Sequence, residues 1–570
     1  MLVDLMTKRG EELLASQETP WNVYPRPQMK RDSFLNLNGF WEFSAGDLYA
    51  DRFRVPFCPE SRLSNIHTHY PEGEKLEYRR CFVLPEGFHK GRVLLHIGAA
   101  DQIAQVTVNG HVIGQHEGGY EAFSFDITAA LTDPKQEIFQ VLCITCLDDL
   151  NDQSYPYGKQ VLPQKRGGMW YTPVSGIWQT VWLESVPEHY IRKLHIENRG
   201  YSVRISIEPK MEGKVIVPQL GEFQLEDGGI TITPETPKLW SPESPYLYDF
   251  TVETEEDRVE SYFAIRALEV KKIGDYPRLC LNGKPYFFHG LLDQGYWPDG
   301  IFTPAKPECY ADDILAMKKL GFNMLRKHIK VEPEEFYYQC DKLGMIVFQD
   351  MVNNGDYNFL RDTALPTVGI QKLDDRKLHR DAQTRRKFMA GMEATVNQLK
   401  NHPSICYWTI FNEGWGQFDS DWVYEQFRKL DDTRFVDATS GWFRRDKTDV
   451  DSRHVYFRKV KLQGDGEKPL VLSEFGGKTF KCEGHVFNPD KSYGYGGCDS
   501  LQSLQEAVKA LYMDEVLPCV QKGLCAAVYT QVSDVEDEIN GLLSYDRKVE
   551  KLSPEEMLPV AQALQKALEP

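Results

Sequence analysis

A chain of 570 residues is too long for one hydrophobic core and suits three or four units at about 150 residues each. Its composition, 41% hydrophobic and 12% aromatic with 43 Gly and 32 Pro, is that of a folded, turn-rich protein and not of a disordered or fibrous one. With 66 basic against 84 acidic side chains, a formal charge of -18 and no basic run, the chain offers nothing to track a nucleic-acid backbone.

The first residues, "MLVDLMTKRGEELLASQETPW", lack an apolar stretch of signal-peptide length, and nowhere do about 18 apolar residues run together. The expectation is a cytoplasmic protein with no membrane partner. The 12 cysteines follow no framework pattern, which suits reduced thiols. Cys143 and Cys146 make a lone C-x-x-C inside the strand-like run "FQVLCITCLDD", without the second pair a zinc site needs.

Up to residue 185 the pattern is short strands, as in "GRVLLHIG" and "AQVTVNGHVIGQ", where Asn109-Gly110 signals a hairpin. A second strand-rich stretch, 186–272, has the length of a small sandwich. Its Pro-rich "TPETPKLWSPESPY" reads as a connection within the unit. From 273 to 570, after another hairpin signal at Asn282-Gly283, short apolar runs alternate with amphipathic helices.

Tyr310, Ile314 and Met317 mark the first of those helices, ended by Gly321. Pro333 opens the second, with Phe336, Tyr337 and Cys340 on one face and Gly344 at its end. Phe388, Met392, Val396 and Leu399 mark a third. Ser420 is placed as N-cap of a fourth carrying Val423, Phe427 and Leu430, and "MLPVAQALQKAL" closes the chain. The strands between them, "YFFHG", "FNMLR", "MIVFQD", "WTIFNE", "RFVDATS", "SRHVYF", "PLVLSEF" and "CAAVYTQ", number eight, the count of a TIM barrel.

Catalytic groups in such barrels sit at the C-terminal strand ends. Glu413 ends the fourth candidate strand and Glu474 the seventh, each after a buried run and each followed by Gly and aromatic residues. Either alone could be a strand-end carboxylate satisfied by amides; two aimed at one mouth suit glycoside hydrolysis, which needs a proton donor and an anion. Trp297, Trp415 and Trp442, just beyond strand ends, could stack on a sugar ring or simply pack.

On these motifs, from "FLNLNGFWEF" and "SGIWQTVWLE" to "NHPSICYWTIFNEGWGQF", "LSEFGG" and "INGLLSYDRK", the chain resembles glycoside hydrolase family 2, the β-galactosidase, β-glucuronidase and β-mannosidase group. The resemblance implies a jelly-roll sugar-binding-like domain over 1–185, an immunoglobulin-like sandwich over 186–272 and a catalytic (β/α)8 barrel over 273–570. It makes Glu413 the acid/base, Glu474 the nucleophile of a retaining reaction, and Asn412 a ligand of the sugar 2-hydroxyl. Arg326 and Tyr456 are expected beside the nucleophile, and His328 and Asp350 are sugar-binding candidates.

Departures from the family pattern bear on the substrate. Where relatives read Ser-His-Tyr-Pro after the second strand, this chain reads "RKHIKVEP". Gly168 precedes Met169-Trp170 where large β-galactosidases have aspartate, and their magnesium ligands have no counterpart in "FQDMVNNGDYN", so no metal or other cofactor is expected. The Asn-x-Lys of β-glucuronidases falls on Glu538, Ile539 and Asn540, which would repel or ignore a uronate. The expectation is therefore an exo-acting β-galactosidase-like hydrolase, with β-glucuronidase and β-mannosidase as alternatives. A carbohydrate-binding protein on an inactive scaffold is the alternative from another class, and a homo-oligomer is compatible with the acidic surface.

Overall fold

Every second side chain is buried along Gln140–Leu147, and similar alternation runs through Ile103–Val108 and Gly39–Ala45, giving their sheet one apolar face. In this computed structural model, which describes residues 2–132, 139–367, 369–370 and 374–568, these three strands and three others form one antiparallel sheet. A four-stranded sheet built on Arg92–Ile97 and Val181–Val186 packs its Leu95 and Leu183 against Trp41, Tyr78 and Ile144 of the first. This is the jelly-roll unit. Asn109 and Gly110, at φ 49 and 81, make the expected hairpin. Cys143 and Cys146, three apart on one strand, point to opposite faces, and all cysteines are free.

The sandwich that follows pairs a three-stranded sheet led by Lys193–Arg199 with a four-stranded one led by Lys214–Val217, around Ile205, Val215, Phe250 and Phe263. The 233–246 connection crosses between its strands, as expected. Leu268–Ile273 and Tyr276–Leu281 then form a hairpin whose Leu279 and Leu281 plug the bottom of the barrel against Phe288 and Met324.

Eight parallel strands make the barrel: β1 (Phe288–Asp293), β2 (Met324–Lys327), β3 (Ile346–Asp350), β4 (Ile405–Asn412), β5 (Phe435–Ser440), β6 (Asp451–Val455), β7 (Leu470–Gly476) and β8 (Leu524–Thr530). All are buried nearly throughout, the pattern of a sheet covered on both faces. They pair in chain order, β1 with β8, while Ser452 Oγ donates to Thr439 O at 3.4 Å between β6 and β5. Around them run α1 (Glu308–Lys319), α2 (Glu334–Leu343), α3 (Ala382–Leu399), α4 (Ser420–Leu430), α5 (Leu501–Ala510) and α6 (Pro554–Lys566). The apolar residues singled out in α1, α2 and α3 are buried, and Gly344, at φ 73, caps α2.

Three features differ from the sequence reading. Ser420 is the first residue of α4 and not its cap; its N–H and hydroxyl donate to Asp375, which supplies the helix end with an acceptor from another segment. Helix α5 was not anticipated, although Leu504, Val508, Tyr512 and Val516 recur at helical spacing through it and the turns that follow. The helix Lys8–Ala15 was also missed. It joins the barrel, since Thr7 donates from both N and Oγ1 to Asp299, and Leu13 enters the barrel core. No described helix is long and apolar enough to cross a membrane.

The jelly roll and sandwich are riveted by Arg31, which donates to Glu184 of one at 3.1 Å and to Asp257 of the other at 2.9 and 2.6 Å. Burial opposes ionisation of Glu184, but Arg26, His96 and Arg31 hold its carboxyl well below the usual range. A depressed carboxyl stabilises the fold fully above its unfolded value of 4.5 and progressively less as pH falls below it. Arg31→Met should thus cost about 3 kcal/mol at pH 7 by leaving buried charge unpaired. In calorimetric melts the gap to the parent should narrow at pH 3.

Candidate active site

Strand β4 ends on Asn412, and the backbone then turns sharply: Glu413, Gly414 and Gly416 have φ of 53, 78 and 62. A Cβ on Gly414 would lie 2.4 Å from the Phe443 ring, and one on Gly416 2.2 Å from Asn354 O, so the turn needs both glycines. A left-handed glutamate is itself unfavourable, and such residues cluster at functional sites. The turn aims Glu413 into the barrel mouth opposite Glu474 of β7, and both are buried.

One oxygen from each carboxylate and a ring nitrogen of His454 all lie within 4.8 Å of one another. His454 stands between the two acids: Nδ1 is 2.8 Å from Glu413 Oε1 and Nε2 is 3.5 Å from Glu474 Oε1. These three are the one group among the described residues whose ligand atoms could share a cation. Their lone pairs already serve each other and Arg326, with which a cation would compete.

Arg326, at β2, is the hub. Its guanidinium donates to Asp350 Oδ1 at 3.0 Å, Glu474 Oε1 at 3.1 Å, Ser473 O at 3.0 Å and Asn412 Oδ1 at 2.9 Å. Asp350 is therefore scaffold: it also bonds His328 Nδ1 at 2.9 Å. Burial pushes the His328 imidazole down to about 4, so it is neutral near pH 7. Asn412 Nδ2 is buried with no partner, a donor held ready in the mouth.

Tyr456 donates to Glu474 Oε2 at 2.8 Å and stacks on Tyr495 at 4.1 Å. Trp442 lines the same pocket as Glu413, His454 and Tyr456. Trp415 is buried against Trp170 and His328, in the wall of the site and not on a free stacking face. Trp297 does not join the group. Its indole lies 4.0 Å under the Arg547 guanidinium and beside Tyr310, as packing.

The two glutamates are driven apart electrostatically. Burial raises the Glu413 carboxyl, the negative Glu474 adds to the rise, and His454 partly opposes it. Burial also disfavours ionised Glu474, but His454 and Arg326 overcome it and hold that carboxyl below the usual value. Glu413 is thus biased toward its protonated form and Glu474 toward its anion, the pairing that a proton donor and a nucleophile need. A roomier cleft of about 410 Å³, where the three domains meet, contains Glu121, Glu334 and Glu335. Burial raises all three, so it has no such opposed pair.

Sequence reasoning missed His454 and Lys159. The first was legible: on β6, a side chain two residues before Tyr456 faces the same way. The second comes from the jelly roll. The loop 155–172 crosses onto the barrel, where Tyr157 bonds Asn353 and Gly355, Arg166 and Thr172 bond Glu536, and Tyr171 bonds Glu538. It brings Met169 to the pocket and Lys159 to 5.2 Å over the Trp415 ring.

Comparison with known proteins agrees with this architecture. Residues 272–538 match "Glycosyl hydrolases family 2, TIM barrel domain", 189–266 match "Glycosyl hydrolases family 2", and 54–158 match "Glycosyl hydrolase 2 galactose-binding domain-like". A β-galactosidase of Thermoanaerobacter pseudethanolicus is 24% identical over 82% of this chain, which spans only 62% of that relative's length. The β-glucuronidase of Homo sapiens is 25% identical over 70% of this chain and 68% of its own. Among solved structures, a β-D-glucuronidase of Dictyoglomus thermophilum superposes with TM-score 0.71 at 19% identity, covering 96% of this chain and 98% of that one. A GH2 β-galacturonidase from Eisenbergiella tayi bound to galacturonate gives 0.68 at 18%, covering 96% and 99%.

Because the His454 hydrogen bond favours ionised Glu413, His454→Phe should move the Glu413 titration to higher pH. Carbon-13 NMR of labelled glutamate carboxyls reads this directly; an unmoved or lowered titration would show that His454 does not tune Glu413.

Proposed function

Since the chain belongs to glycoside hydrolase family 2, a family of glycosidases that hydrolyse β-linked sugars, we propose that it is a retaining exo-β-glycosidase acting through a covalent glycosyl-enzyme. The observation that carries the reading is the close pair Glu413 and Glu474 with opposed proton affinities. Carboxyl groups about 5 to 5.5 Å apart leave no room for the water that inversion requires. The pocket that holds Glu413 is lined by Met169 of loop 155–172 and by Trp442, Phe457 and Tyr493, side chains suited to enclosing a terminal sugar.

In the first step a Glu474 oxygen bonds the anomeric carbon as the bond to the leaving oxygen breaks, and the Glu413 proton passes to that oxygen. Esterification removes the negative charge that had helped raise Glu413, so its proton affinity falls when it must become a base. Glu413 then takes a proton from water, whose oxygen bonds the anomeric carbon and releases Glu474. Arg326 and Tyr456 hold the nucleophile in place, and the unpartnered Asn412 amide is suited to donate to the sugar 2-hydroxyl. An inactive carbohydrate-binding scaffold has no use for two neighbouring acids tuned in opposite directions.

A neutral β-galactoside is the glycone that the sequence puts first, and the Thermoanaerobacter relative accords with it. A specific observation, the buried Lys159, favours an acidic glycone instead.

Glu474→Ala should lower kcat on any accepted aryl glycoside by about 10⁴-fold or more. Added azide should restore bond cleavage and leave a glycosyl azide of inverted configuration, whereas the parent should release its sugar with configuration retained, as proton NMR records. The profile of kcat/KM against pH should be bell-shaped, its acid limb set by the lowered Glu474 and its alkaline limb by the raised Glu413. A single limb, or an inverted product from the parent, would count against the scheme.

A further inference from the structure

Of the lysines buried among the described residues, Lys327, Lys330 and Lys551 each have a carboxylate within 2.9 Å. Lys159 is only 6% exposed; its backbone carbonyl accepts from Tyr171 N at 3.1 Å, but its ammonium has no hydrogen bond or ion pair to any described residue. Its ammonium rests on ring faces, 5.2 Å from the Trp415 centroid and 5.8 Å from that of Tyr171. An ammonium on a largely buried side chain with no carboxylate in contact keeps a charge that an incoming anion can pair with. Arg458, which lines the mouth, is exposed and stays hydrated.

The position of Lys159 suits that use. Its charge is felt by Glu413, Glu474 and Glu538, and its contact with Trp415 sets it against the wall of the site. Glu538, whose acidity argued against a uronate in the sequence, is engaged elsewhere: one oxygen accepts from Tyr171 OH and the other from Asn540 Nδ2 at 2.9 Å. Burial also raises its carboxyl toward the neutral form, weakening its repulsion of a nearby anion.

We propose that Lys159, contributed by the jelly roll, binds the carboxylate of a uronic acid glycone, making the enzyme a β-uronidase. The assignment rests on the glycosidase reading above. It names a substituent and a residue, and leaves the orientation of the sugar 4-hydroxyl to the assay.

The test uses matched aryl pairs, β-D-glucuronide with glucoside and β-D-galacturonide with galactoside, on the parent, Lys159→Met and Lys159→Arg. In the parent one uronide should exceed its neutral partner by about a hundredfold in kcat/KM, the scale of one charge-assisted hydrogen bond. Lys159→Met should collapse that ratio, chiefly through KM, and Lys159→Arg should restore part of it. The pair showing the preference separates glucuronide from galacturonide. A neutral preference in the parent, or equal losses on both members of a pair, would overturn the proposal and make Lys159 a counter-charge for the glutamates. Should Lys159→Met fail to fold, competitive inhibition of the parent by free glucuronate and galacturonate, compared with glucose and galactose, decides: no stronger inhibition by either acid defeats it. If the parent cleaves no glycoside, the hydrolytic reading fails separately, and calorimetric titration with the same four sugars still tests the anion site.

Discussion

A single buried guanidinium organises the catalytic end of this barrel. Arg326 ties β2 to β3 through Asp350, to the end of β4 through Asn412 and to β7 through Glu474 and the Ser473 carbonyl. Planar and permanently charged, it can serve several acceptors at once in a way a lysine cannot. Together with His454, this fixed positive charge offsets the burial that pushes the Glu474 carboxyl toward its protonated form, and the proposed nucleophile depends on that balance. The neutral His328 and ionised Asp350 behind it keep the arginine from turning toward other partners.

His454 adds a second constraint. An imidazole within reach of both acids lets the state of one be felt by the other, and it comes from β6, where the ring of strands is held to β5 by side-chain contacts such as Ser452 to Thr439. The barrel thus spends part of its regularity where the reacting groups need room.

Much of this was legible in the sequence because period and punctuation are local. The eight strands, the faces of α1 to α3 and the two Asn-Gly hairpins follow from spacing alone, and Glu413 and Glu474 stand out where apolar runs stop. Helix α5 escaped because it follows a long aperiodic segment, although its buried positions recur every four residues. Trp297 illustrates the opposite failure: a tryptophan after a strand end can belong to the core as easily as to the mouth, and only Arg547, far along the chain, decides. Nothing near Lys159 in sequence declares that it lies against Trp415. That contact arises from the docking of one domain on another, held by bonds such as Tyr157 to Gly355 and Arg166 to Glu536.

The crossing of loop 155–172 onto the barrel separates two kinds of information. The groups proposed to make and break bonds are rooted at barrel strand ends, while Lys159 and Met169 belong to a different folding unit. On the proposed reading, selectivity can then drift by changes in the jelly roll without disturbing the two acids assigned to the reaction. With Lys159 in its proposed role, the same division would make the docked interface an instrument of substrate choice, because a small shift of one unit on the other would re-aim the loop while leaving Glu413 and Glu474 where they are.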